Sequence, residues 1–318
     1  MADSKQAHLF STELLAAGER PPLDGSASIQ AAIGAFEQHM EEEGFALNTR
    51  KAFVSDIRLM GKYLGIGQPV GAIGTNNLND FLNWLAYERP VPCSRKSYAR
   101  RVTALKVFFK WLTESGVLAA DPAAAVIQIS VSSPLPSLPT PAEIDQALDV
   151  SEGRRKGSRQ AKPDARPHLL LTLLLGTGIK KSEVMAIVPN HIERDDPNGP
   201  ILYVRYRSPK YRYKERKIAL QDEWLDTLDE YLAQYQPKDT LFTCTARNLE
   251  YILDDVAEAA GLDRALFSFE NLRWVSALGD FRRGVEGEDI MRRLGLSKIT
   301  WRETKSKLKR LASDLASA

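Results

Sequence analysis

The sequence is short of the residues from which most metal and redox sites are built. It holds two cysteines and four histidines in 318 residues. Cys93 and Cys244 lie too far apart for a zinc-ligand spacing, so a zinc module or disulfide framework is excluded and free thiols are expected. Histidine ends at His191 and tyrosine at Tyr251, so the C-terminal stretch offers neither an imidazole nor a phenol. No apolar run reaches the roughly 18 residues of a membrane span. The longest runs from His168 to Leu175 and suits a buried helix. The N-terminus, Met1-Ala2-Asp3-Ser4-Lys5, lacks the basic-then-apolar order of a secretory signal. A cytoplasmic, nucleoid-associated protein without metal, cofactor or membrane contact is expected.

Positive charge is present in blocks. The net charge is only +2, but acid concentrates early, in Glu37 and Glu41 to Glu43. Ser94 to Lys110 holds six Lys/Arg and no acid, and Arg154 to Arg166 holds six against one. Arg205 to Lys217 holds seven against one, and Arg292 to Arg310 eight against one. Any one block fits a solvated helix face. Four blocks together fit a protein that holds a polyanion.

The apolar spacing divides the chain. Residues 1–26, with Pro21 and Pro22, read as a loose leader with one short helix. Residues 27–120 read as a four-helix bundle. Its first helix is capped at Ser26 or Ser28 and carries Ile29, Ile33, Phe36 and Met40. The second is capped at Asn48 or Thr49, the third starts at Thr75, and the fourth starts at Ser94. Residues 121–141 are a linker, because five prolines remove backbone donors there. Residues 142–318 form the second lobe. It opens with a helix over 142–149, followed by a basic insertion, Glu152 to Arg166, read as mobile. A buried helix follows at 168–175. Residues 201–207 alternate as a half-exposed strand and pair with 216–220. Helices are predicted over 222–235, 246–260, 270–283, 287–294 and 298–316. The last carries Ile299, Leu308, Leu311 and Leu315 as its apolar set and packs either on its own lobe or on a neighbouring subunit.

Several short stretches share one frame. Thr177-Gly178-Ile179-Lys180-Lys181-Ser182-Glu183 precedes a helix, and Lys214-Glu215-Arg216 precedes the second strand. Leu272-Arg273 sits within Phe269 to Ala277, and Leu294-Gly295-Leu296-Ser297 follows. In the first lobe stand Asn48 to Phe53, the basic helix Ser97 to Leu112, and Asp121-Pro122-Ala123. Leu138 to Ile144 follows the linker. The order and spacing of these stretches resemble the tyrosine recombinase (phage integrase) family across roughly residues 27–310. The resemblance implies a mainly α fold with a small β-hairpin: a helical, SAM-like core-binding bundle and a catalytic-type domain that clamp duplex DNA in a C shape.

The resemblance also marks departures. The family's first phosphate-clamping arginine falls at Lys180, and an ammonium lacks the planar fork of a guanidinium. Its second arginine is Arg273. Its two histidines of the Leu-Arg motif fall at Glu270 and Trp274, its later histidine at Leu296, and its nucleophilic tyrosine, by count, at Lys305. Its general-acid lysine finds its nearest candidate at Lys210, one residue out of register. Glu270 is expected to pair with Arg273 or Lys180. The catalytic positions so replaced imply an inactive protein, not an enzyme, that binds duplex DNA as a regulator or architectural factor. Two alternatives stay open: a divergent recombinase with an unusual or trans-supplied nucleophile, and an interaction partner of an active recombinase. The expected DNA-contacting residues are Arg95, Lys96, Arg100 and Arg101 in the bundle. On the hairpin they are Arg205, Arg207, Lys210, Arg212 and Lys214. Near the phosphate they are Lys180, Arg273, Arg292, Arg293 and Lys298. A homo-oligomer or an active recombinase bound through the last helix is the expected protein partner.

Overall fold

The computed structural model describes residues 23–91, 93–126, 134–159 and 161–314. The leader's short helix and Leu315 lie outside them. The chain forms two compact units, residues 1–134 and 135–318, each considered by itself below. No helix among the described residues is long and apolar enough to cross a membrane.

The first unit is a bundle of α1 (Ile29–Glu42), α2 (Leu47–Leu64), α3 (Thr75–Asn83) and α4 (Arg95–Glu114). Ser28 and Ser94 cap α1 and α4, each hydroxyl accepting from a backbone N–H three residues on. Gly44 and Gly116 close those helices at positive φ, where a side chain would strain the backbone. The expected cap of α2 is different. The helix begins at Leu47, so Asn48 and Thr49 fall inside its first turn and Ala46 holds the cap position without a side-chain bond. Phe45 packs on Phe53, ring centroids 6.5 Å apart, and that contact sets the entry of the chain. The core is aromatic: Phe36 meets Phe108 edge-on at 5.2 Å, and Phe108 meets Phe109 at 5.1 Å.

The second unit begins with α5 (Pro141–Lys156), opened by a reciprocal capping box between Thr140 and Glu143. Here the mobile insertion is corrected. Helix α5 runs on through Arg154, Arg155 and Lys156, whose charge suits a helix C-terminus. Arg155 pairs with Glu152 at 2.9 Å and donates to Thr227 at 2.8 Å, and Arg154 donates to the carbonyl of Asp255. These contacts hold Arg154 and Arg155 against the protein, while Lys156, Arg159 and Lys162 stay exposed.

Then come α6 (Arg166–Thr177), α7 (Lys181–Val184), β1 (Ile192–Glu193), β2 (Ile201–Val204) and β3 (Arg216–Ala219). The strands form an antiparallel sheet in the order β1-β2-β3, with Leu202 opposite Ile218 and Val204 opposite Arg216. Both main strands are shorter than their sequence alternation, because the chain leaves the ladder after Val204. Helices α8 (Asp222–Tyr235), α9 (Ala246–Ala259), α10 (Phe269–Arg282), α11 (Gly287–Arg293) and α12 (Lys298–Asp314) complete the unit. Helix α6 is apolar on nearly all sides and buries Leu169, Leu170, Leu171, Leu173 and Leu174. It is the axle of the larger core.

Helix α12 packs in cis. Trp301, Leu308 and Leu311 are buried against Ala277, Leu278 and Ile290. Ile299, assigned above to its apolar face, is instead 81% exposed. Trp301 takes the place on that face.

Phe108→Ala is expected to cost about 3–5 kcal/mol, since it removes a fully buried ring and leaves a cavity. Urea unfolding followed by circular dichroism measures it.

Candidate functional site

The site is built where α6 ends. Thr177 closes the helix and Gly178 turns the chain at φ 60°. A Cβ at residue 178 would lie 3.0 Å from a Leu294 methyl and 3.1 Å from the Ser276 hydroxyl, so glycine is required for both conformation and space. The turn delivers Ile179 to the core and Lys180 to the rim of a cavity.

Behind that turn sits Glu183, almost wholly buried. Arg216 holds both its carboxylate oxygens, at 3.1 and 2.8 Å, and the Tyr206 hydroxyl donates to it. The backbone N–H of Lys180 donates to it at 2.8 Å. Burial alone would push this carboxyl up, but Arg216 and the other donors overcome burial and hold it at about 2. The same burial and the carboxylate beside it push the Tyr206 phenol up to about 12. Arg216 also donates through Nε to the carbonyl of Arg293 at 2.6 Å. One ion pair therefore ties the α6–α7 turn, β3 and the end of α11 together.

Arg273, on the first turns of α10, braces the same junction. Its two terminal nitrogens donate to the carbonyls of Gly178 and Leu294. Burial draws its guanidinium down to about 10, which leaves it charged at neutral pH. Arg273 and Lys180 share a cavity of about 560 Å³, whose walls include Glu270, Trp274, Leu296, Thr300 and Thr304. Lys180 reaches the carbonyl of Gly295 at 3.4 Å and lies 3.9 Å from Glu183. Burial lowers its ammonium below the usual lysine range, opposed by Glu183 and helped by the charges of Arg273 and Lys214.

Five expected positions thus converge: Lys180, Glu270, Arg273, Trp274 and Leu296. Lys210 and Lys305 do not. Glu270 is exposed at the rim and makes no ion pair within 4 Å among the described residues, so its expected pairing with Arg273 or Lys180 is corrected. Arg273 is satisfied by carbonyls instead, and Lys180 by Gly295 and Glu183. Lys305 is exposed, with its ammonium near Gly287 and off the cavity. Thr300 and Thr304 of α12 do line it; the Thr304 hydroxyl donates to the carbonyl of Thr300, and the Thr300 hydroxyl pairs with that of Ser297. Lys210 is exposed, whereas the charge of Lys214 is felt at Lys180. Lys210 and Lys214 both lie in the 3₁₀ segment between β2 and β3.

The outlying arginines divide in the same way. Arg95, Lys96, Arg207, Arg212 and Lys298 are exposed. Arg205 covers the Tyr203 ring at 5.2 Å and lies 3.6 Å from Glu215. Arg292 pairs with Asp289 on the surface. Arg293 turns inward instead, to Asp280, Ser276 and the carbonyl of Gly176. In the first unit Arg100 and Arg101 both reach the buried carboxylate of Asp56, at 3.0 and 3.3 Å. Pocket charge is mixed as well, because Lys181 pairs with Glu250 at 2.5 Å along one wall.

Glu183→Gln is expected to cost roughly 3–5 kcal/mol, since it strands the buried Arg216. The depressed carboxyl stabilises the fold fully above pH 4.5, and that contribution is lost as pH falls towards about 2. Urea midpoints across that interval should therefore slope in the wild type and flatten in the variant.

Comparison with known proteins supplies the context. Residues 33–116 match the family described as phage integrase, N-terminal SAM-like domain. Among curated proteins, the tyrosine recombinase XerC of Mycobacterium sp. (strain JLS) is 28% identical over 186 residues, covering 58% of this chain and 60% of that protein. XerC of Mycobacterium bovis (strain BCG / Pasteur 1173P2) is 31% identical over 168 residues, covering 52% and 54%. The chain thus spans a little over half the length of the relatives it matches. Among solved structures, a lambda integrase dimer bound to a COC′ core site aligns with TM-score 0.67 at 17% identity, covering 88% of this chain and 78% of that one. XerH bound to palindromic difH substrate, a post-cleavage complex, aligns with TM-score 0.66 at 15% identity, covering 92% and 96%. The expectation that this protein is not an enzyme is overturned by these relatives, which bear the name of one. Residues 33–116 carry the phage-integrase SAM-like domain, and the SAM-like match, the XerC relatives and the integrase fold agree that the chain is similar to the tyrosine recombinases.

Proposed function

We propose that this protein binds duplex DNA and acts on it in site-specific recombination, seating a backbone phosphate between Lys180 and Arg273. The observation that carries this reading is their convergence on one cavity from helices far apart in sequence. Arg273 has two donors fixed on carbonyls, which orients the plane of its guanidinium and leaves its other N–H donors for a phosphate. Lys180 adds a point charge beside it. The exposed cations Arg207, Lys210 and Arg212 extend the positive surface beyond the cavity.

Strand transfer needs an oxygen that attacks phosphorus while the departing 5′ oxygen takes a proton. The attacking hydroxyl, of Thr300 or Thr304 on the cavity wall or of a tyrosine brought by a second subunit, bonds to phosphorus as the bond to the 5′ oxygen breaks, and gives its proton to solvent. Lys214, whose charge acts on the Lys180 ammonium, is the lysine assigned here to protonate the leaving oxygen. On a nicked suicide duplex, selected first for binding, a covalent protein–DNA adduct is the expected product. Peptide mapping of the adduct identifies the oxygen. Failure to trap one, alone or with a tyrosine-bearing recombinase, counts against this reading.

Binding should weaken steeply with salt, because each phosphate contact releases counterions. Lys180→Gln is expected to weaken binding and reduce the salt slope by about 1, measured by fluorescence anisotropy. Lys180 sheds its proton at lower pH than an ordinary lysine, so wild-type affinity should fall as pH rises into the alkaline range, and Lys180→Arg should abolish that fall. Removing the rim carboxylate in Glu270→Gln should tighten binding by about fivefold, near 1 kcal/mol of relieved repulsion.

A further inference from the structure

The connection between β2 and β3 is far longer than pairing requires. The ladder ends at Val204 opposite Arg216, so residues 205–215 cross a gap that about two residues could close. Within it, Pro209–Lys214 forms a 3₁₀ helix of six residues, longer than the usual run of three or four. Residues three apart eclipse in such a helix, and the period sorts the side chains into rows.

Tyr211 and Lys214 form the inward row. The Tyr211 ring lies 6.0 Å from that of Tyr206, and the Lys214 ammonium lies 5.2 Å from the Tyr211 ring. Lys210 and Tyr213 form the outward row, and Tyr213 is 73% exposed. The Lys214 ammonium also lies 5.3 Å from the Tyr213 ring and braces it from one side. Tyr206 is anchored on Glu183, which lies 3.9 Å from Lys180. A continuous run of contacts therefore holds the exposed phenol in fixed relation to the phosphate-binding lysine.

An aromatic face set among cations beside a phosphate site is the arrangement that binds single-stranded nucleic acid, where bases stack on rings and cations hold the backbone. A base inside a duplex has both faces covered by its neighbours. A strand that changes partner must leave its complement, and its bases then have faces to offer.

We propose that Tyr213 is a stacking platform for an unpaired nucleobase next to the phosphate held by Lys180 and Arg273. The protein then prefers DNA with a bulge or gap to continuous duplex. This rests on the DNA-binding reading above. Because every base has a π face, the preference is for structure and not for sequence.

The test compares a continuous duplex with the same duplex carrying one bulged 2-aminopurine, for the wild type, Tyr213→Phe and Tyr213→Ala. The wild type and Tyr213→Phe should bind the bulged DNA about 5- to 150-fold tighter and quench its fluorescence. Tyr213→Ala should lose both the preference and the quench while binding continuous duplex as before. Equal thermal midpoints verify that the exposed substitution leaves the fold intact. Equal binding of both DNAs by the wild type, or a preference that survives in Tyr213→Ala, overturns the proposal and leaves the duplex-binding reading standing. Absence of binding to either DNA overturns both.

Discussion

The buried pair of Glu183 and Arg216 is the constraint on which the second unit depends. A charge out of water is costly unless its partner meets it with good geometry, and here both carboxylate oxygens are met. The pair joins a helix-start turn to an edge of the sheet, and Arg216 carries the link on to α11 through the carbonyl of Arg293. Lys180 hangs from the same turn through its backbone N–H. The place of the Lys180 ammonium on the cavity is thus set by its neighbour's buried ion pair.

Much of the fold was legible because helices announce themselves. Serine at 28 and 94 before apolar periods, and glycine at 44 and 116 after them, mark ends by physical necessity. The two-residue β1 has no period to read. The basic run at 154–166 looked mobile because composition does not show that Arg155 finds Glu152 and Thr227. The second cap was misplaced for a similar reason: the sequence around Asn48 and Thr49 does not show that the helix already begins at Leu47.

The site was legible as a frame and not as a geometry. Lys180 and Arg273 could be paired only through family resemblance, since nothing local connects them. Lys305 and Thr304 are neighbours in sequence, yet one helical position turns a side chain by about 100 degrees, and only Thr304 lines the cavity. Lys210 and Lys214 sit in a 3₁₀ segment that no alternation announces. Charge blocks do not show which cations are already paired. Arg100, Arg101 and Arg293 lie in basic runs yet meet Asp56 and Asp280 within the protein.

Arg273 is at once a wall of the cavity and a cross-brace between the ends of α6 and α11. In the proposed reading, recognition and scaffold rest on the same side chain. Loss of that guanidinium would free two carbonyls as it opened the cavity wall. A change of grip at this position would first have to find another strut.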